Sequence, residues 1–192
     1  MLYNVQLMQY AGEDGIAAYG VLMYVSMIFQ AIFIGYSVGT APIVSYHYGA
    51  QNREELKSLL RKAIFIVAIA ALCMFAAGEL LAAPLSRLFV AYDEELLQMT
   101  THAFAIFSFS FLFSGFAING SSFFTALGDG VTSALISFLR TLLFQVAAVF
   151  ALPALMGMDG IWLAVTAAEL AALGVSVYMF VTKDRKFHYR HV

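Results

Sequence analysis

The sequence predicts an all-α membrane protein, and three observations carry that prediction. First, 62% of its 192 residues are hydrophobic and 11% are charged, where soluble domains carry roughly 25% charged residues. Mean hydropathy is +0.84, and a water-exposed surface cannot be built from so few charges. Second, residues 15–52 run 38 positions without Asp, Glu, Lys or Arg, whereas a bilayer core of about 30 Å needs about 20 apolar residues. Third, the few charges are clustered between apolar runs instead of being spread along them.

Five spans follow in order, near 16–45, 63–83, 103–126, 131–155 and 161–181. Residues 1–10 read as the end of an earlier helix, 11–182 as the five-helix body and 183–192 as a basic tail. The connections are AGEDG, the basic segment after Gln51, the stretch PLSRLFVAYDEELLQMT, LGDG and MGMDG. Gly and Asp suit tight turns in the short ones. After Gln51, Asn52 with Glu55 three residues on resembles a capping box. Leu56, Leu59 and Leu60 give an apolar face while Arg53, Lys57 and Arg61 recur at i+4, which suits an interfacial surface helix, although an ordinary basic cytoplasmic loop explains the same charges more simply. Pro42 and Gly49 are expected to bend or end the first span, and Gly35 with Gly39 makes a GxxxG spacing suited to close helix packing.

Charge orients the spans. Arg53, Lys57, Arg61, Lys62 and Lys183, Arg185, Lys186, Arg190 occupy two segments, and the positive-inside rule places both in the cytoplasm. The segments holding Glu13 and Asp14, Asp93 to Glu95, and Asp159 contain one basic residue between them, Arg87. Five crossings alternate these segments consistently, with a cytoplasmic C-terminus and a multi-pass chain in the inner (plasma) membrane.

The wording of three stretches is more specific. GIAAYGVLMYVSMIFQAIFIGYSVGTAPIVSYHYGAQN at 15–52, FFTALGDGVTSALISFLRTLLFQ at 123–145 and GMDGIWLA at 157–164, with SRLF at 86–89, occur in one order. Together they resemble the C-terminal half of a MATE (multidrug and toxic compound extrusion) transporter of the MepA-like branch. That resemblance implies a twelve-helix fold of two six-helix lobes, with helices eight to twelve and the end of helix seven in this chain. It also implies ion-coupled antiport, driven by Na⁺ or H⁺, of small lipophilic or cationic compounds. The N-terminal lobe would then be a partner, beside the lipid bilayer, and the fragment would be inactive alone. The family's ion-binding carboxylates match no residue here, since 103–126 holds no Asp or Glu.

Polar residues inside apolar spans need partners or a wet cavity. Ser26, Gln30, Ser37 and Thr40 recur on the first span, and Ser108, Gly115, Asn119 and Ser122 on the third. On the fourth, Ser133, Ser137, Thr141 and Gln145 are spaced by four, with Arg140 beside them. Thr166, Glu169 and Ser176 lie on the fifth. Gln30, Ser37, Asn119, Thr141 and Gln145 are the substrate or cavity-lining candidates; interhelical hydrogen bonding explains the same pattern. Arg140 lies about 13 Å from one face and Glu169 about 12 Å from the other, at 1.5 Å per residue. Their depths in a bilayer core of about 30 Å differ by roughly 5 Å, so they are expected to pair, either as a structural ion pair or as a proton- or substrate-sensitive latch. Glu79 is expected near the outer interface.

His47, His102, His188 and His191 form no metal-ligand spacing, and no cofactor is expected. The sequence holds no HExxH, P-loop or CxxC pattern, and nothing beyond two small basic segments to attract nucleic acid. An enzyme is therefore not expected. Two other readings remain open beside the exporter: an inert membrane scaffold or degenerate remnant, and a lipid or polysaccharide flippase of similar fold.

Overall fold

The computed structural model describes residues 2–187 and Tyr189. Helix α1 spans Leu2–Gly49 and α2 spans Arg53–Val90. They are followed by α3 (Glu94–Ser108), α4 (Phe111–Ala126) and α5 (Gly130–Phe138). A π-helical segment, Leu139–Phe144, then leads into α6 (Gln145–Met156) and α7 (Met158–Phe187). Four helical spans are long and apolar enough to cross a membrane, and the α3–α4 pair makes a fifth. This is a multi-pass, all-α membrane fold.

The turns are tighter than their composition suggests. Within AGEDG only Gly12 leaves helical geometry, with φ 62° and ψ −147°. That conformation needs a residue without a Cβ, and it divides α1 into a short first arm and a long second one. Pro42 does not end α1, which continues to Gly49. The segment after Gln51 is not a separate surface helix. It is the first turns of α2, which runs 38 residues without interruption. The Asn52 side chain caps it by accepting the Glu55 amide at 3.1 Å, while the Glu55 carboxylate turns to Lys62 at 3.4 Å. Only half of the capping box forms.

The stretch 84–100, expected as a connection, is almost all helix. Pro84 lies inside α2, and only residues 91–93 separate α2 from α3. Asp93 starts α3 by accepting the amides of Glu95 at 2.9 Å and Leu96 at 3.1 Å. Conversely, the third span is not one rod. It breaks between Ser108 and Phe111 with a 48° bend, where the Ser110 amide bonds the Phe107 carbonyl at 2.9 Å in a tighter turn. The Ser108 hydroxyl donates to the Glu79 carboxylate and bonds the Ala105 carbonyl at 3.0 Å. Gly78 lets α2 come this close: a Cβ there would stand 2.9 Å from that of Ser108. Glu79, expected at the outer interface, thus bonds α3 at this break.

Helix α4 is the hub, packing on α1, α2, α5 and α7. Helix α7 packs on α6 through the turn at Gly157 (φ 63°), and Gly160 sits so close to α6 that a Cβ would collide with the Leu152 carbonyl. The GxxxG pair does no such work, since nothing lies within 4 Å of a Cβ at Gly35 or Gly39. The close contact is made instead by Gly115, over which the Phe33 ring is packed. One apolar cluster gathers Leu7, Leu22, Phe104, Phe107, Phe111 and Trp162. A second, at the other end of the bundle, gathers Leu56, Phe123, Phe124, Ile136 and Phe187 with Tyr189. Tyr189 is fully buried and its hydroxyl donates to the Phe180 carbonyl at 2.8 Å. So the tail begins by folding back on the bundle. His188, Arg190 and His191 lie outside the described residues.

Candidate functional site

The polar residues of α1, α4 and α5 meet along one seam. Asn119, buried on α4, donates to the Ser37 hydroxyl of α1 at 3.4 Å. Ser122, one turn on, donates to the Ser37 carbonyl at 3.2 Å. Across α4 the Ser121 hydroxyl lies 2.9 Å from that of Ser133 and 2.8 Å from that of Ser137. Thr125 reaches Ser133 at 2.7 Å. Between membrane helices such bonds contribute about 0.6 kcal/mol each on average.

Two hollows flank this seam. One, of about 200 Å³, lies between α1, α2 and α4, with Ser37, Asn119, Ser122 and Lys62 among its walls. The other, of about 310 Å³, lies between α1, α4 and α5. Ser37 and Ser122 line it as well, with Ser121, Thr125, Ser137 and Arg140. Ser37 and Ser122 therefore form the partition between the two.

Arg140 sits at the edge of the second hollow and reaches into the bundle. Its Nε lies 3.0 and 2.8 Å from the two carboxylate oxygens of Glu169, and its second amino group lies 2.8 Å from one of them. The Glu169 side chain is 1% exposed and that of Arg140 14%. Two planar groups meet edge to edge, the strongest geometry such a pair can take. Each charge is compensated where lipid could not do so.

The other candidates are placed differently. Among the described residues Gln30 bonds along its own helix alone, to the Ser26 hydroxyl at 2.9 Å. Thr141 is exposed and bonds the Ser137 carbonyl of its own helix at 2.7 Å. Gln145 is half-buried and no hydrogen bond forms at its side chain among the described residues. Thr141 and Gln145 thus stand apart from Ser133 and Ser137. Thr141 lies within the π-helical segment 139–144 and Gln145 directly follows it. Ser121 and Thr125, which complete the hydroxyl cluster, lie one position off the α4 stripe read from the sequence. Their signal was the i, i+4 match to Ser133 and Ser137 on the next helix. Among the described residues the buried hydroxyls of Ser114, Thr166 and Ser176 have no hydrogen-bond partner.

Each end of the bundle carries a polar tie. At one end His102 lies 2.9 Å from Asp159, both exposed. At the other, Lys183 lies 3.3 Å from buried Asp129. Burial raises the Asp129 pKa, but hydrogen bonds from the Thr132 hydroxyl and amide and the charge of Lys183 outweigh it, leaving the carboxyl below its ordinary value.

A bundle of this topology, with a π-helical segment and an interior ion pair, can be compared with known proteins. The family model MatE matches residues 1–150. The chain belongs to the MatE family. Among solved structures it is similar to an outward-facing multidrug resistance MATE transporter of the MOP superfamily, at TM-score 0.90 and 21% identity. An inward-facing one gives 0.89 and 22%, and a Vibrio cholerae MATE transporter in a bent form gives 0.88 and 18%. These matches cover 97%, 97% and 99% of this chain and 42%, 43% and 43% of those chains. The chain therefore spans less than half the length of the structures it matches, one lobe of each. No curated relative matches its sequence.

Proposed function

We propose that this chain is the second lobe of a secondary active exporter, moving small lipophilic or cationic compounds outward against an inward flow of Na⁺ or H⁺. The observation that carries the reading is the pair of matches to an outward-facing and an inward-facing transporter at nearly equal TM-score. A lobe that fits both states equally well is one that keeps its shape while access alternates, as rocking of one rigid bundle against another requires. The polar seam suits that role. Asn119, Ser37 and Ser122 lock α4 to α1, so that the lobe turns as a body, while the 310 Å³ hollow offers hydroxyls and an arginine edge to the transport path. Arg140 is already neutralised by Glu169, so it does not repel a cation from that path. In this reading the basic end, with Arg53 to Lys62 and Lys183, faces the cytoplasm, and the chain sits in the inner membrane.

The test is transport by the chain together with a first lobe of a family member, co-expressed and co-purified. Proteoliposomes of the assembled pair are loaded with ethidium and given a Na⁺ or a proton gradient. Ethidium movement that needs the gradient and both lobes supports the reading. A pair that assembles but moves no dye under either gradient overturns it.

A further inference from the structure

At the basic end of the bundle, helices α2 and α7 diverge and leave a groove of about 430 Å³. Its mouth carries Lys57 and Arg61, one turn apart on the same face of α2, beside the Tyr189 ring. Its other wall is apolar, lined by Ile64 on the next turn of α2 and by Val177 and Val181 of α7. The three aliphatic side chains are half exposed, at 50%, 53% and 53%. Neither Lys57 nor Arg61 takes part in an ion pair among the described residues; the nearby lysine that does is Lys62, which holds Glu55.

Two unpaired cations above an apolar wall, at the depth where a span emerges from the hydrocarbon, match one kind of molecule. We propose that this groove binds an anionic phospholipid, its phosphate between Lys57 and Arg61 and an acyl chain along Ile64, Val177 and Val181. Charge complementarity selects that occupant. A lipophilic cation would be repelled by both basic groups, and a zwitterionic lipid would place its own ammonium among them. A soluble anion would leave the apolar wall uncovered. The site is distinct from the polar seam, and it joins the start of α2 to the end of α7, two helices that otherwise scarcely touch.

The test is native mass spectrometry of the purified chain in detergent, supplied with equal phosphatidylglycerol and phosphatidylcholine. The parent is expected to retain phosphatidylglycerol preferentially. A basic side chain beside a lipid phosphate is worth roughly fivefold in affinity, so K57Q/R61Q should lower that retention by about 25-fold. V177W, which fills the groove without changing charge, should lower it too. R53Q/K186Q, which removes two charges from the same end outside the groove, should leave it within about threefold. Helical content by circular dichroism confirms that each variant is folded. Equal retention of both lipids, full retention by K57Q/R61Q or V177W, or an equal loss in R53Q/K186Q would each overturn the proposal. The last would mean that net charge alone attracts the lipid.

Discussion

Replacing Arg140 by Gln should damage the bundle more than replacing Glu169 by Gln. The Glu169 carboxylate is 1% exposed and accepts three hydrogen bonds from Arg140, at 2.8 to 3.0 Å. R140Q leaves that carboxylate without a counter-charge in a place water does not reach. Removing one partner of a buried pair costs about 3–5 kcal/mol. E169Q leaves the guanidinium instead. Arg140 is 14% exposed and borders a hollow lined by Ser121, Ser122, Thr125 and Ser137. It can turn to those hydroxyls, so about 2 kcal/mol is expected, the penalty of an imperfectly satisfied polar group. The double variant R140Q/E169Q places two neutral amides face to face and should recover most of the R140Q loss. The assay is unfolding in mixed micelles with increasing sodium dodecyl sulfate, followed by fluorescence of Trp162. It is the sole tryptophan, 1% exposed and on the same helix as Glu169. The reasoning fails if R140Q costs less than about 1 kcal/mol, the range of an exposed pair. It fails equally if the double variant is no more stable than the worse single one, because a coupled pair must show a large interaction energy.

Three further outcomes follow from the packing and the polar ties. Gly160→Ala drives a methyl into the Leu152 carbonyl and should cost about 1–3 kcal/mol, whereas Gly35→Ala meets open space and should be neutral or slightly stabilising in the same titration. Asn119→Ala should cost about 0.6 kcal/mol, the average for a hydrogen bond between membrane helices, and should loosen α4 from α1, read as faster hydrogen exchange at the Ser37 turn. Asp129 has a folded pKa below its ordinary value of 3.8, so its contribution to stability is present above that value and is lost as pH falls through the lower folded one. Asp129→Asn should therefore be less stable than the parent at pH 6, with the difference shrinking as the pH is taken to 3; a difference that is constant or grows on acidification contradicts the assignment.

The spans were legible because length and hydropathy are decided by the bilayer and not by neighbours. The pairing depth of Arg140 and Glu169 was legible for the same reason: helical rise turns a sequence position into a height. What the sequence hid depends on contacts. The break at 108–111 meets Glu79 and Gly78 on another helix, and neither leaves a mark within 103–126. The continuity of α2 through Pro84 was hidden because a proline reads locally as a stop, while a long helix loses one bond there and continues. Thr141 and Gln145 do not join the hydroxyl cluster that their spacing implied, and nothing in the sequence of Leu139–Phe144 marks it as π-helical. Gly35 and Gly39 satisfied a packing motif with no partner to pack on, while Gly115, outside any motif, received the Phe33 ring.

The polar seam, the ion pair and the lipid groove all require five crossings that put residues 50–52 and 127–129 on one side and residues 12, 91–93 and 157 on the other. Single cysteines in a Cys73→Ala background test this directly, at Ala50 and Val131 for one side and Tyr92 and Leu155 for the other, all four being exposed. A membrane-impermeant maleimide applied to intact cells should label Tyr92→Cys and Leu155→Cys, and should reach Ala50→Cys and Val131→Cys only after the membrane is opened. Labelling of Tyr92→Cys and Leu155→Cys from opposite sides, or of Ala50→Cys from outside, would contradict it.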